Sequence, residues 1–442
     1  EKNTLKFSLM NNSFYKNRRL KALLFFVVCS LLTIIPHFFD IKNFSYLIFA
    51  CCLVISFYGL LVISKNINRS ILSNTFNKNL SEIKLPVLDI LVAARDEENV
   101  IARLVERLFN LDYPRNKLNI YIIDDGSSDK TPLILERLSK EYEKLKIISR
   151  SPNAGGGKSG ALNYALKFTH GEWLLVLDAD AQLKKDTLLR LFSFVEEGSW
   201  SAVQLRKSVT NVNNNFLTSC QSMEMAMDAI FQYGRLSVAG VSELRGNGEL
   251  IKKDILLECG SFNEDTVTDD LDLSLRLLLS KSRIGILWDP PVMEEAVENL
   301  TALFAQRQRW AEGGLQRFFD YGDQLLTKKI DNLQKFDVTY FFILQYGLPI
   351  ISMLDLILSI ALVESPIYWP VSLTAFTLSG IALFYGASCK SEGPVSQNRN
   401  LLIIILSLLY LSHWFLVIPW VAMKMSIFPK KILWKKTLHT GV

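Results

Sequence analysis

The chain has 442 residues, 49% of them hydrophobic, and its mean hydropathy of +0.20 lies above that of ordinary soluble domains. Its 49 basic and 44 acidic residues leave a net charge of only +5, which argues against a nucleic-acid binder. The six cysteines lack the paired short spacings of a zinc site or redox motif and read as small buried apolar residues.

Continuous apolarity marks five stretches, roughly 21–38, 45–64, 338–363, 368–388 and 401–422, each near the ~20 residues that cross a bilayer core. The first is too long for the core of a signal peptide and no small-residue cleavage site follows it, so an uncleaved anchor is expected. The predicted organisation is a basic segment with two membrane helices over 1–84, a polar domain over 85–335, and membrane helices with a basic tail over 336–442. Lys2, Lys6, Lys16, Arg18, Arg19 and Lys21 precede the first span, whereas only Asp40 and Lys42 separate it from the second. These flanks place the N-terminus in the cytoplasm, and a two-span hairpin returns the chain there at Lys65 and Arg69. The polar domain is then cytoplasmic. Five crossings would carry Lys424, Lys430, Lys431, Lys435 and Lys436 to the far side, against the same rule. Either the stretch from Asp337 to Val363 combines an interfacial helix with a span, or the segment containing Pro419 does not cross.

Within the polar domain a β-rich run from Val87 to Ala94 ends at Arg95-Asp96-Glu97-Glu98-Asn99 and opens a helical pattern at Val100, Leu104 and Leu108. A second unit repeats it: strand Leu118 to Ile123, the turn Asp124-Asp125-Gly126-Ser127, then a helix through Leu133, Leu135 and Leu138. Such alternation predicts a parallel, doubly wound α/β sheet, whose ligands bind at the carboxyl ends of the strands. A third strand, Lys146 to Ser149, leads into Gly155-Gly156-Gly157-Lys158 and a helix from Ala161 to Phe168. A P-loop would need glycine where Pro152 stands; either backbone and one ammonium approach a nucleotide here, or the glycines form a surface turn. A fourth strand, Trp173 to Leu177, runs into Asp178-Ala179-Asp180, whose hard oxygen ligands suit Mg2+ or Mn2+ beside a diphosphate.

Ala93-Ala94-Arg95-Asp96-Glu97-Glu98, the Asp-Asp-Gly-Ser turn, Gly157-Lys158 with Ala161-Leu162-Asn163, Asp178-Ala179-Asp180, Thr268-Asp269-Asp270 and Gln306-Arg307-Gln308-Arg309-Trp310 follow one another in order. This series resembles the membrane-integral family 2 glycosyltransferases, to which cellulose, hyaluronan and poly-N-acetylglucosamine synthases belong. The match covers about residues 87 to 320. Two departures stand out: Ala93 where a proline is common, and Asp269 in place of a glutamate. The resemblance implies a GT-A-like domain inserted between transmembrane helices, with Ala94, Glu97, Asp124, Asp125, Lys158 and Asp178 around the nucleotide sugar and Asp180 at the metal. It implies a UDP-linked donor and Asp270 as the base that activates the acceptor, while Thr268 or Asp269 as a helix cap remains the structural alternative. A single base opposite the leaving group predicts inversion to a β-glycoside. Asp269, Gln306, Arg307, Arg309 and Trp310 are expected at the diphosphate and acceptor, arginine for its planar fork and tryptophan for its face. As a lone string, the Arg-Trp pair would equally suit membrane anchoring.

Between the metal and base motifs, Gln204, Gln221 to Glu224 and Gly246-Asn247-Gly248 occupy the region where the resemblance implies the acceptor site; Met223, Met225 and Met227 read more simply as packing. Two acceptors compete. A membrane lipid, 1,2-diacylglycerol, would receive one hexose, glucose ahead of N-acetylglucosamine; alternatively a growing glycan would be extended processively. The run Trp310 to Phe318 and the tail from Pro429-Lys430-Lys431 to His439 resemble the glycolipid-forming members, and no appended regulatory domain is expected. A non-catalytic sugar-nucleotide sensor would lack a base or a metal acid, and neither is missing.

Overall fold

A computed structural model describes residues 17–39, 44–65, 84–327, 329–389, 392 and 401–428. Lys2, Lys6, Lys16, Asp40, Lys42, Arg69 and the tail from Pro429 therefore lie outside the described residues. Five described helices are long and apolar enough to cross a membrane: α1 (Arg18–Phe38), α2 (Phe44–Ser64), and further along the chain Asn332–Leu362, Trp369–Ser388 and Leu401–Ile427. Phe57 is 74% exposed, Tyr46 72% and Ile360 71%, an apolar surface that lipid covers and water does not; the protein is a membrane protein. The third of these helices, 31 residues at ~1.5 Å each, is longer than a ~30 Å core. The fifth is broken near Ser412 into Leu401–Leu411 and Trp414–Ile427.

The polar domain is built on β1 (Leu88–Ala94), β2 (Leu118–Asp124), β3 (Leu145–Ser149) and β4 (Trp173–Leu177). Successive side chains point to opposite faces, so Leu88, Ile90 and Val92 enter one core with α3 (Ile101–Phe109), α4 (Thr131–Glu141) and α6 (Thr187–Glu197). Leu91, Tyr121 and Val176 enter the other, against α5 (Gly157–Ala165). These strands are mutually parallel in the order β3-β2-β1-β4, and β5 (Ala202–Val209) pairs parallel with β7 (Ile284–Glu294). The sheet departs from the all-parallel expectation at β6 (Glu249–Lys252), which runs antiparallel between β4 and β5. The reason lies in its approach: Gly246 and Gly248, at φ +83° and +73°, turn the chain so that Glu249 sits opposite both Val176 and Gln204.

Between β5 and β6 stands α7 (Phe216–Ala239), opened by a reciprocal cap in which Asn215 and Thr218 bond each other's backbone. It joins the sheet to the membrane helices. Gly234 makes this possible, since a Cβ there would fall 2.2 Å from the Val62 carbonyl oxygen of α2. After β6 come α8 (Lys253–Glu258), α9 (Asp269–Leu279) and α10 (Leu300–Leu325), then the spans α11 (Asn332–Leu362) and α12 (Trp369–Ser388), and the two parts of the last span, α13 (Leu401–Leu411) and α14 (Trp414–Ile427).

Candidate active site

Parallel register sets Ala94 opposite Asp124 and Val92 opposite Leu177, so the segments after β1, β2 and β4 leave the sheet at one edge. A cavity of about 780 Å³ opens there, lined by Glu97, Asp178 and Asp180 from the segments after β1 and β4 and by Lys158 from the first turn of α5. Lys158 stands 2.5 Å from Asp178 and donates to the Gly246 carbonyl at 2.7 Å. Burial works against its charge, but Asp178, Asp269 and Glu249 outweigh it and push the ammonium's pKa up. Asp180 is 5% exposed and its Oδ2 accepts from the Glu295 amide at 2.8 Å, which fixes the carboxylate against the end of β7. Ala94, Asp124 and Asp125 lie beside the cavity and not on its wall. The Ala94 carbonyl accepts from the Asp125 amide, Asp124 accepts from the Ser127 amide at 3.0 Å, and Asp125 is paired with Arg150 at 2.6 Å. Burial pushes the Asp125 carboxyl up, and Arg150 opposes it.

Asp269 and Asp270 enter the cavity from the first turn of α9, where three acids meet the positive end of the helix. Thr268 occupies the cap position but makes no capping bond; its buried Oγ1 has no hydrogen-bond partner and packs on Gly313 of α10. Side-chain capping therefore does not account for this motif. Burial, and then the charge of Asp269, push Asp270 up to about 6, while burial and Asp270 push the neighbouring Glu249 up to about 8. Gly246 suits the turn beside Asp270, since at its φ of +83° a Cβ would be strained and would come within 3.3 Å of Asp270 Oδ2.

Gln306, Arg309 and Trp310 also line the cavity, half-buried on α10. Arg307 reaches it too but is 1% exposed and committed within the protein. It pairs with Glu224, donates to the Tyr410 hydroxyl at 2.9 Å, and lies 4.1 Å from the Trp310 ring and 5.6 Å from that of Trp414. Glu224 in turn accepts from the Trp414 indole at 3.0 Å. Sequence reasoning missed Lys207, Glu294 and Glu295, which line the same cavity; Lys207 pairs with Glu294 at 2.7 Å and lies 5.9 Å from the Trp310 ring. Burial lowers the pKa of Lys207, but Glu294, Asp178 and Asp270 prevail and raise it. The strand-end acids Glu294-Glu295 repeat the signal of Asp178 and Asp180, but Pro290-Pro291 hide the strand before them. The cavity then continues between membrane helices, past Leu344 and Leu348 of α11, Phe376 of α12, and Phe415 and Ile418 of α14.

A model of the glycosyl transferase family 2 matches residues 89–256, and one of glycosyl transferase family group 2 matches residues 173–425. The beta-monoglucosyldiacylglycerol synthase of Trichormus variabilis is 43% identical over 361 residues, covering 81% of this chain and 77% of the relative. That of Synechocystis sp. is 40% identical over 364 residues, with coverage of 81% and 76%. Among solved structures, the mannosyltransferase PcManGT from Pyrobaculum calidifontis shares the fold with a TM-score of 0.56 at 18% identity, covering 84% of this chain and 98% of that one. The second family model spans more than half of the chain and the two synthases are at least 40% identical over 81% of it; the chain belongs to the family 2 glycosyltransferases.

Proposed function

We propose that this enzyme transfers glucose from UDP-glucose to 1,2-diacylglycerol with inversion, forming a β-glycolipid at the cytoplasmic face of a membrane. The observation that carries the reading is the cavity, which runs without interruption from Asp178, Asp180 and Asp270 to apolar side chains between α11, α12 and α14. A donor dissolved in water and an acceptor dissolved in lipid can meet only in such a place. Leu344, Leu348, Phe376, Phe415 and Ile418 give this arm a largely apolar lining, which suits an acyl chain. The synthases of matching length and higher identity carry the same product in their names.

In this reading residues 1–84 and 336–442 form the membrane part and 85–335 the cytoplasmic transferase domain. Ala94, Glu97, Asp124, Asp125, Lys158 and Asp178 shape the nucleotide-sugar site, Asp124 and Asp125 by bracing its wall. Asp270 accepts the proton of the glycerol hydroxyl; that oxygen attacks C1 of glucose, and the C1–O bond breaks with its electron pair going to the diphosphate. Burial, and then the charge of Asp269, push Asp270 up to about 6, so it is ionised yet basic at neutral pH. Asp269, Gln306 and Arg309 face the diphosphate and acceptor, and Trp310 offers its ring to the sugar, with Arg307 holding that ring in place. Among the described residues no preformed group of three acidic, histidine or cysteine ligands could hold a metal alone. One fixed carboxylate plus diphosphate oxygens is a set that Mg2+ or Mn2+ accepts, so Asp180 would hold the cation together with the donor, and its charge would offset that of the leaving group.

Purified protein given UDP-glucose, Mg2+ and diacylglycerol, with extraction of lipid-soluble from insoluble product, tests the proposal. A β-glucosyl lipid of fixed size is expected. An insoluble product that lengthens with time refutes the acceptor.

A further inference from the structure

Below the polar site the cavity passes a wall on which charge cancels. Arg235 pairs with Asp337 at 2.8 Å and Glu243 at 3.2 Å, Arg245 with Asp228 at 2.8 Å and Glu243 at 2.7 Å, and Arg317 with Glu243 at 3.2 Å. Burial raises the pKa of Glu243, yet Arg317, Arg235 and Arg245 prevail and hold it well below the usual carboxylate range. Each guanidinium on this wall is thus matched by a carboxylate, and the wall offers no surplus cation to a phosphate headgroup. An uncharged headgroup fits it better.

Gln232 of α7 faces the same part of the cavity and is 4% exposed. Its Oε1 accepts from the Glu243 amide at 3.1 Å, whereas its Nε2 has no hydrogen-bond partner. The amide cannot be turned over, because a backbone N–H must meet oxygen and not another donor. A donor that is buried and unsatisfied calls for an acceptor atom from a ligand. Just beyond it the walls become largely apolar, with Phe341 and Leu344 on α11, Phe376 on α12 and Phe415 on α14, and with the small Ser379 of α12, whose hydroxyl is bonded to the Ala375 carbonyl. α11 and α12 are each long enough to cross the bilayer, and α14 is the second part of a helical stretch that is.

We propose that this arm binds the glyceride portion of the acceptor: the Gln232 amide donates to an ester carbonyl of a neutral diacylglycerol, and one acyl chain lies between α11, α12 and α14. The inference rests on the lipid-acceptor reading above and adds to it the group that recognises the ester and the route of the chain. Gln232 is then a specificity-determining residue that touches the acceptor without sharing in the chemistry.

The test compares diacylglycerol with the corresponding dialkyl diether, which lacks ester carbonyls, in the wild type, in Gln232→Leu and in Gln232→Glu, the last keeping an acceptor for the Glu243 amide. Wild-type enzyme should show a KM for the ester about tenfold below that for the ether, and both variants should treat the two lipids alike. The KM for UDP-glucose should stay at the wild-type value in both variants. Ser379→Phe, which narrows the apolar arm, should shift preference toward shorter acyl chains. Ester preference that survives both changes at position 232, or a chain-length profile untouched by Ser379→Phe, overturns this inference alone. Wild-type enzyme that consumes UDP-glucose and glucosylates neither lipid refutes the underlying acceptor class as well.

Discussion

The end of the cavity nearest the sheet is made of residues at strand ends and in the first turns of α5 and α9, whereas the end nearest the membrane is made of side chains from α11, α12 and α14. At the first end charge is concentrated: Lys158, Asp178, Asp180, Asp269 and Asp270 meet around a space fit for a diphosphate and a cation. At the second, charge is either neutralised, as around Glu243, or absent. The contrast teaches how one enzyme serves two solvents. Strand ends and helix N-termini can hold many polar groups because backbone amides and counter-ions satisfy them, and a lipid path needs those same groups silenced.

Substitutions at the polar end should have the largest effects. Asp270→Asn should lower turnover by about 10²- to 10⁴-fold, the usual worth of a positioned base, while UDP-glucose still binds. Normal turnover in that variant would remove Asp270 from the mechanism. Because burial and Asp269 raise its pKa to about 6, the ionised, proton-accepting form is lost as pH falls through that value. The pH profile of turnover should therefore carry an acid limb near pH 6, and a flat profile down to pH 5 would contradict the assignment.

At the junction of the two ends, Arg307→Ala leaves the Glu224 carboxylate without its buried partner and should cost about 3–5 kcal/mol in unfolding measured in detergent. Were Arg307 a diphosphate ligand instead, donor affinity would fall with stability intact. Asp180→Ala should weaken donor binding by about 1.5–3 kcal/mol and flatten its dependence on Mg2+, as titration of UDP-glucose at several Mg2+ concentrations would reveal. The smallest effect is expected at the membrane side: Tyr410→Phe removes two hydrogen bonds, one accepted from Arg307 and one donated to Glu224, and a loss of about 1–2 kcal/mol should appear in the same unfolding assay.

Legibility in the sequence followed the same divide. β1 to β4 could be read to within a residue because each is an apolar run closed by a short polar motif, and the five apolar stretches are helices close to their expected bounds. Asp180, Asp270 and Trp310 could be placed together because local motifs carry them, and all three line one cavity. β6 was not legible: four residues show no period of their own, and its direction depends on the turn at Gly246 and Gly248. Arg307 and Arg309 look alike as letters, and only packing against Glu224 and Tyr410 distinguishes the internal strut from its neighbour. Gln232 gave no sign at all, since its meaning comes from one amide of Glu243 and from helices more than a hundred residues away.

The most direct measurement is the structure of the Asp270→Asn variant with UDP-glucose, Mg2+ and diacylglycerol bound together. The account predicts the glycerol hydroxyl within hydrogen-bond reach, about 3 Å, of the side chain at position 270 and pointed at C1, with an acyl chain between α12 and α14. A lipid held on another face of the domain, or a C1 turned away from position 270, would contradict it.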